Sequence, residues 1–271
     1  MRWDGLAWSC EELVEDGTHP SALGQRKVAF MLLDFFKADT TARPWFVGAP
    51  QRPPAPSATM AANAASFVPK VTLQIVSTVF GANLAGSTAS AVRLPLPYGL
   101  AGTTVRIGGE LAPLYYVSPR QINLVVPPSA KGMSVVVERE GAVSTSIEAQ
   151  STFFNEGLFS LDGSGQGAAA ARHADGTVVS ESAPALRGET IEFYGTGKGV
   201  RNPAILIPEV LPVARVGDGV ASLQYFGPAP GIPGLDQINI TIPAQAPAGA
   251  AVPVMLQFPD GPSNMVTIAI R

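Results

Sequence analysis

The sequence predicts a mainly β protein: two β-sandwich units preceded by a short α-helical segment and a Pro/Ala-rich linker. Three observations predict it. From Phe67 onward, short Val/Ile/Leu runs are broken by Gly and Pro, the texture of strands separated by turns. The chain holds 28 Gly and 25 Pro, enough turn formers for many short connections. Its second half also repeats the first, which is the property that most constrains the architecture.

Taken in order, residues 1–48 contain Trp3, Trp8 and Trp45, all three tryptophans of the chain, and one strong helix signal. Val28, Met31, Leu32 and Phe35 fall at i, i+3, i+4 and i+7, with Leu23 and Phe36 widening the stripe. Ser21, just after Pro20, is the expected N-cap, and Asp39, Thr40 and Thr41 mark the exit. A helix with that much apolar surface needs a partner, and so short a segment offers little to cover it. Residues 49–66, rich in Pro, Ala and Ser, are expected to form a semi-rigid extended linker.

Residues 67–152 and 153–271 are the two expected sandwich units. Gly108, Ala112, Leu114 and Tyr116 match Gly217, Ala221, Leu223 and Tyr225 at a constant offset. After a short insertion, Gln121, Ile122, Asn123 and Pro127 match Gln237, Ile238, Asn239 and Pro243. Upstream, VSTVFGANL (76–84) resembles IEFYGTGKG (191–199); downstream, MSVVVEREGAVST resembles VPVMLQFPDGPSN. Strand signals every ~8–12 residues within units of this size fit an immunoglobulin-like sandwich. In each Gln-Ile-Asn the alternation turns Ile inward and the two amides outward. A duplicated Gln/Asn pair is expected to serve the shared fold, its amides capping the backbone of a neighbouring loop.

Composition excludes several function classes. Hydrophobic residues make up 46% and charged residues 14%, which argues against a disordered chain. A net charge of −3, with no basic run, leaves no electrostatic footprint for nucleic acid or an anionic membrane. Cys10 is the only cysteine, so an intrachain disulfide and a thiolate metal cluster are both excluded. No apolar stretch is long enough for a membrane-spanning helix, and the early acidic residues do not fit a signal peptide.

The best catalytic candidates are Asp16 and His19. An Asp three residues before a His, on a loop entering a helix, can turn back to the ring Nδ1, fix its tautomer and steady the imidazolium. By spacing alone, an Asp near a His is more often a helix cap or part of a solvated loop. The full string DGTHPSALGQRKVAFMLLDFF adds to that: it resembles the C-terminal block of SGNH (GDSL-type) hydrolases, with Asp16, His19, Pro20, Ser21 and Gly24 in the family's places. The resemblance implies that His19 is the catalytic base and Asp16 its orienting carboxylate, and it covers only about 48 residues. The family's Gly-Asp-Ser nucleophile block does not occur in this sequence. The expectation is therefore an incomplete or vestigial triad, with Met1 an internal start or truncation point and no hydrolysis by this polypeptide alone.

From about Asn63 to Arg271, NAASF, FGANLAG, LPLPYGLAGTTVRIGGELAPLYYVSPRQINLVVP and PGLDQINITIPA resemble a second family. This is the uncharacterised β-sandwich C-terminal domains of secreted soil-bacterial proteins, akin to the IPT/TIG class of Ig-like folds. That resemblance implies an accessory or binding module, extracellular or at the cell surface, with a polysaccharide or cell-surface polymer as partner. The alternative reading is an active ester hydrolase once the full upstream frame is present.

Other motifs are decoys. GTGKG (195–199) lacks the Gly-Lys-Ser/Thr and following helix of a phosphate loop. DGSGQG (162–167) lacks the spaced carboxylates of a calcium loop and reads as a flexible turn. His173 and His19 are the only histidines, too few for a His-based zinc site. Tyr115, Tyr116, Tyr225 and Phe226 could stack on sugars but read as core aromatics at repeated positions. The sequence calls for no cofactor and no metal.

Overall fold

The alternation that marks the strands also sets which side chains meet. In Thr103–Ile107 every second residue is buried and Arg106 faces water; in Asp236–Thr241 Ile238 and Ile240 are fully buried between half-exposed neighbours. The computed structural model describes residues 7–47, 54–152, 155–198, 211–259 and 261–271. The fold is mainly β, and the chain divides into two compact units, residues 1–53 and 54–271.

In the first unit, helix Ala22–Ala38 begins at Ser21, whose side chain accepts from the Gly24 N–H. It ends at Asp39, whose Oδ1 accepts from the N–H groups of Thr41 and Ala42 and leads into the short helix Arg43–Phe46. Cys10–Glu12 forms a 3₁₀ turn packed on the first helical turn. Gly24 permits this approach: a Cβ there would lie 2.2 Å from the Glu12 carbonyl oxygen. The expected apolar stripe forms but is not covered within this unit: Leu23, Leu32 and Phe35 are about half exposed.

In the second unit, the first five-stranded sheet runs in the order Ser57–Asn63, Val76–Ala82, Gln121–Val125, Leu114–Val117, Ala89–Ser90. A second sheet is built on Thr103–Ile107 and Ser134–Arg139. Their inner faces share one core that includes Val79, Ile122 and Leu124 from one sheet and Val105, Val135 and Val137 from the other. Lys70–Val71 and Gln150–Ser151 form a small parallel pair, and the strands from Gly157 onward form a continuous path around a second core that includes Phe193, Ile238, Val254 and Leu256. Full burial of each such side chain stabilises by about 1.5–3 kcal/mol, so two separate cores of this composition are each substantial.

The repeat is preserved to the level of register. Arg106 pairs with Leu111, and Arg215 with Val220, around Gly108 and Gly217, both at positive φ. A bulge falls between Leu114 and Tyr116 and again between Leu223 and Tyr225. Val79 and Phe193 both pair with the Ile of Gln-Ile-Asn, which places Gly81 on Gly195 and corrects the expected match of 76–84 to 191–199 by one residue. The Ser144 hydroxyl accepts from Val137 N–H at 3.0 Å, and Ser263 does the same for Leu256 at 3.0 Å. One difference is traceable to a single residue. Pro113 has no N–H and splits the first copy into Glu110–Leu111 and Leu114–Val117, whereas Ser222 lets Gly219–Pro228 run unbroken from one layer into the other.

The linker expected over 49–66 needs correction. Residues 49–53 lie outside the described residues, but Ser57–Asn63 is a seven-residue strand paired with Val76–Ala82. Its small residues serve packing rather than extension: Ala58, Ala61 and Ala62 are buried. A Cβ on Gly81, opposite Ala58, would lie 2.1 Å from the Ser57 carbonyl oxygen.

Candidate functional site

The loop 13–20 closes on itself through the Leu13–Pro20 bridge, with Gly17 at positive φ reversing the chain. That reversal brings Asp16 back over His19. Asp16 Oδ1 accepts the N–H groups of Thr18 at 2.8 Å and His19 at 3.0 Å, while Oδ2 lies 2.6 Å from His19 Nδ1. The His19 N–H, the contact to its ring and the Thr18 N–H hold the Asp16 carboxyl below its usual range. An ionised Asp16 accepts only, so Nδ1 carries a proton, and in the neutral imidazole Nε2 is then the nitrogen with the lone pair. The His19 side chain is 78% exposed. Among the described residues no hydroxyl or thiol is bonded to that Nε2: Ser21 Oγ donates to Glu11 O, and Thr18 Oγ1 to Asp16 O. The two residues are thus together as a base and its orienting carboxylate would be.

The repeated amides behave differently from expectation. Gln121 Nε2 donates to Asn123 Oδ1 at 2.9 Å, and Gln237 Nε2 to Asn239 Oδ1 at 3.0 Å, so each pair bonds along its own strand rather than to a loop backbone. The role is still that of the shared fold. Of the aromatics, Phe226 packs against Phe258 in the core, Tyr225 donates to Pro228 O and Tyr115 to Pro233 O. Only Phe226 is a core aromatic as expected; Tyr225 is 40% exposed, and Tyr115 and Tyr116 are half-buried.

GTGKG ends a strand at Thr196, and Lys198 donates to Phe226 O and covers the Phe226 ring; the Val200–Pro203 stretch lies outside the described residues. Nothing there cradles a phosphate among the described residues. His173 donates through Nδ1 to Glu189, 2.6 Å away, and approaches Ala183 O through Nε2 at 3.1 Å, which accounts for both ring nitrogens. The Glu189 carboxylate raises its pKa. Among the described residues no group of three or more His, Cys, Asp or Glu is placed to hold a metal ion.

DGSGQG does form a turn, but a pinned one. Asp162 Oδ1 accepts from Ser160 Oγ, Ser164 N–H and Ser164 Oγ, and these bonds lower its pKa to about 2. Asn264 Nδ2 ties the turn to the sheet through Gly165 O and Leu158 O. Beside it opens a groove of about 630 Å³, lined by Gln166, Thr267 and Ser66 with Met265, Ala251 and Pro253, and by no charged side chain. Sequence reasoning missed this groove because its walls come from residues about 200 apart in sequence.

It also missed a buried acid pair. Glu156 is 5% exposed and Asp236 7%. Burial, then the Asp236 charge, push the Glu156 carboxyl well above its ordinary range; burial likewise raises Asp236, to about 6. One signal was available: the copies diverge at the residue before the shared Gln, Arg120 in the first and Asp236 in the second.

No family model matches the chain, and no curated protein matches it. Solved structures with similar architecture include the surface glycan-binding protein PbSGBP-B from Prevotella bryantii, at 13% identity and a TM-score of 0.26 over 77% of this chain and 41% of that one. The SGBP-B of a mixed-linkage glucan utilization locus of Bacteroides ovatus, in complex with a heptasaccharide, is 12% identical, with a TM-score of 0.30 over 77% and 47%. The I9-I11 tandem from titin is 8% identical, with a TM-score of 0.21 over 79% and 65%. The chain spans less than half the length of the two glycan-binding structures. Likeness at this level carries no argument about what this chain binds. Among the described residues no helix is long and apolar enough to cross a membrane.

Proposed function

We propose that residues 54–271 form a non-catalytic binding module, comprising two sandwiches over 54–152 and 153–271, for a neutral hydroxyl-rich polymer such as a polysaccharide, outside the cell or at its surface. The groove beside the Asp162 turn carries this reading. Its lining offers amide and hydroxyl groups at Gln166, Thr267 and Ser66 over an apolar floor and no charge, a chemistry suited to uncharged hydroxyls rather than anions. The pinned turn holds one wall in place without a ligand, which lowers the ordering cost of binding. Co-sedimentation of the full chain with insoluble neutral glycans (cellulose, xylan) and with anionic pectate tests it. Retention on a neutral glycan supports the reading, and retention on pectate alone, or on none, contradicts it.

A second reading concerns residues 7–47. The Asp16–His19 pair, with an exposed His19 ring and an uncovered apolar helix face in the same unit, favours an SGNH-type half-site whose nucleophile is supplied by sequence outside residues 1–271. The binding module would then be the C-terminal accessory part of a secreted ester hydrolase. The test is p-nitrophenyl acetate hydrolysis by this chain and by a version extended upstream in frame. The reading expects none in the first and activity in the second, and it fails if the extension encodes no Gly-Asp-Ser block.

A further inference from the structure

The two cores of residues 54–271 meet along a seam of hydrogen bonds far apart in sequence. Asn63 Nδ2 donates to Asn155 O and Thr196 O, and Val76 N–H donates to Thr196 Oγ1, which in turn donates to Gly234 O. Asn155 Nδ2 adds a bond to Lys70 O. One residue beyond Asn155 is Glu156, and one beyond Thr196 begins the Gly197–Lys198 backbone. Glu156 is therefore built into one seam segment, and Asp236 holds the other through the Gly197 and Lys198 N–H groups.

Its geometry is specific. Glu156 is buried, and among the described residues neither of its carboxyl oxygens meets a donor in good hydrogen-bond geometry, the Lys198 backbone N–H being the nearby donor. Asp236 Oδ2 accepts the N–H groups of Gly197 and Lys198, and the Glu156 carboxyl faces the Asp236 carboxyl. Gly195, paired in register with Asp236, leaves the gap: a Cβ there would stand 2.5 Å from Glu156 Oε1. Two ionised carboxylates are both acceptors and repel, so such a contact closes only when one proton lies between them. Among the described residues the charged group facing the pair is Lys198. With the proton in place, one negative charge stands against that cation; without it, two buried negative charges do.

We propose that Glu156 and Asp236 form a proton-operated latch on the seam between the two cores: closed while they share a proton, and loosened at the 155–158 and 195–198 segments when that proton leaves. The sign follows from linkage. An acid that keeps its proton in the folded state beyond its unfolded range makes the folded state bind more protons. The latch therefore contributes fully below the ordinary carboxylate range, and its contribution declines as pH rises through the raised titration of the pair. Amides farther along the core strands, at Ile122 and at Ile240 four residues beyond Asp236, are expected to respond less.

Amide hydrogen exchange on the full chain from about pH 5 to pH 8, corrected for the intrinsic pH dependence of exchange, tests this. Protection at the Val76, Gly197 and Lys198 amides is expected to fall about tenfold or more, with Ile122 and Ile240 changing less. Glu156→Gln, neutral at every pH and able to donate to Asp236, is expected to abolish the fall. Seam protection that is constant with pH in the wild-type chain, or that falls equally in Glu156→Gln, overturns the proposal. If Glu156→Gln does not fold, carboxyl ¹³C titration of the wild-type chain decides. Raised transitions at Glu156 and Asp236 support the latch, and ordinary ones at both overturn it.

Discussion

Asn63 and Thr196 are joined across the two cores: the Asn63 side-chain N–H donates to the Thr196 carbonyl at 2.6 Å, and both residues are fully buried. The same amide group reaches Asn155 O at 2.6 Å, while Oδ1 accepts from the Ala65 and Ser66 N–H groups. One side chain thus satisfies four backbone groups. Asn63→Ala leaves buried donors and acceptors unpaired at about 1–3 kcal/mol each where water cannot replace them. A total loss of roughly 2–4 kcal/mol is expected, read as a lowered urea midpoint with unchanged slope.

The strand Ser57–Asn63 belongs to the first core, so where a fragment begins should decide whether it folds. A fragment over 54–271 is expected to unfold cooperatively. One over 67–271 loses a paired strand together with Asn63, and is expected to show a depressed or broadened thermal transition by circular dichroism. Equal transitions in the two fragments would remove the strand from the account.

Gly81 and Gly195 occupy equivalent places, and both are crossed by backbone. An added Cβ would stand 2.1 Å from Ser57 O at the first and 2.6 Å from Gly157 O at the second. Gly81→Ala and Gly195→Ala are each expected to destabilise by about 1–3 kcal/mol, the usual cost of overpacking. By contrast, Gly86→Ala, with only the end of the Glu140 side chain near it at 3.6 Å, should be close to neutral. Denaturant titration of the three variants distinguishes them.

His173 gives a pH dependence of defined sign. Glu189 raises its folded pKa, so its contribution is complete below the unfolded value near 6.5 and declines as pH rises through the folded one. Glu189→Gln should bring the His173 titration, followed by NMR, back down and flatten that part of the stability profile. An unchanged titration would mean that Glu189 does not hold the charge.

The repeat made much of the fold legible. Gly108, Leu114 and Tyr116 and their partners a constant distance on recur with the same hairpin, the same bulge and the same pairing to Gln-Ile-Asn. Those features depend on local turn chemistry and alternation, which a sequence displays directly. The strand at 57–63 was not legible, because Ala and Ser chosen for close backbone approach have the composition of a linker. Nor were the groove and the acid pair: Ser66, Gln166 and Thr267, or Glu156 and Asp236, meet only once the sheets are assembled. Asp16 and His19 were legible because a glycine-reversed loop of four residues brings them together by itself.

The groove beside the Asp162 turn is the proposed seat of a neutral polymer. Depletion binding of the full chain to the glycan that retains it, compared with Gln166→Ala/Thr267→Val, tests it most directly. Loss of at least tenfold in affinity is expected, about 1.4 kcal/mol, with the thermal midpoint unchanged. Undiminished binding by the double variant would place any ligand elsewhere and contradict the claim.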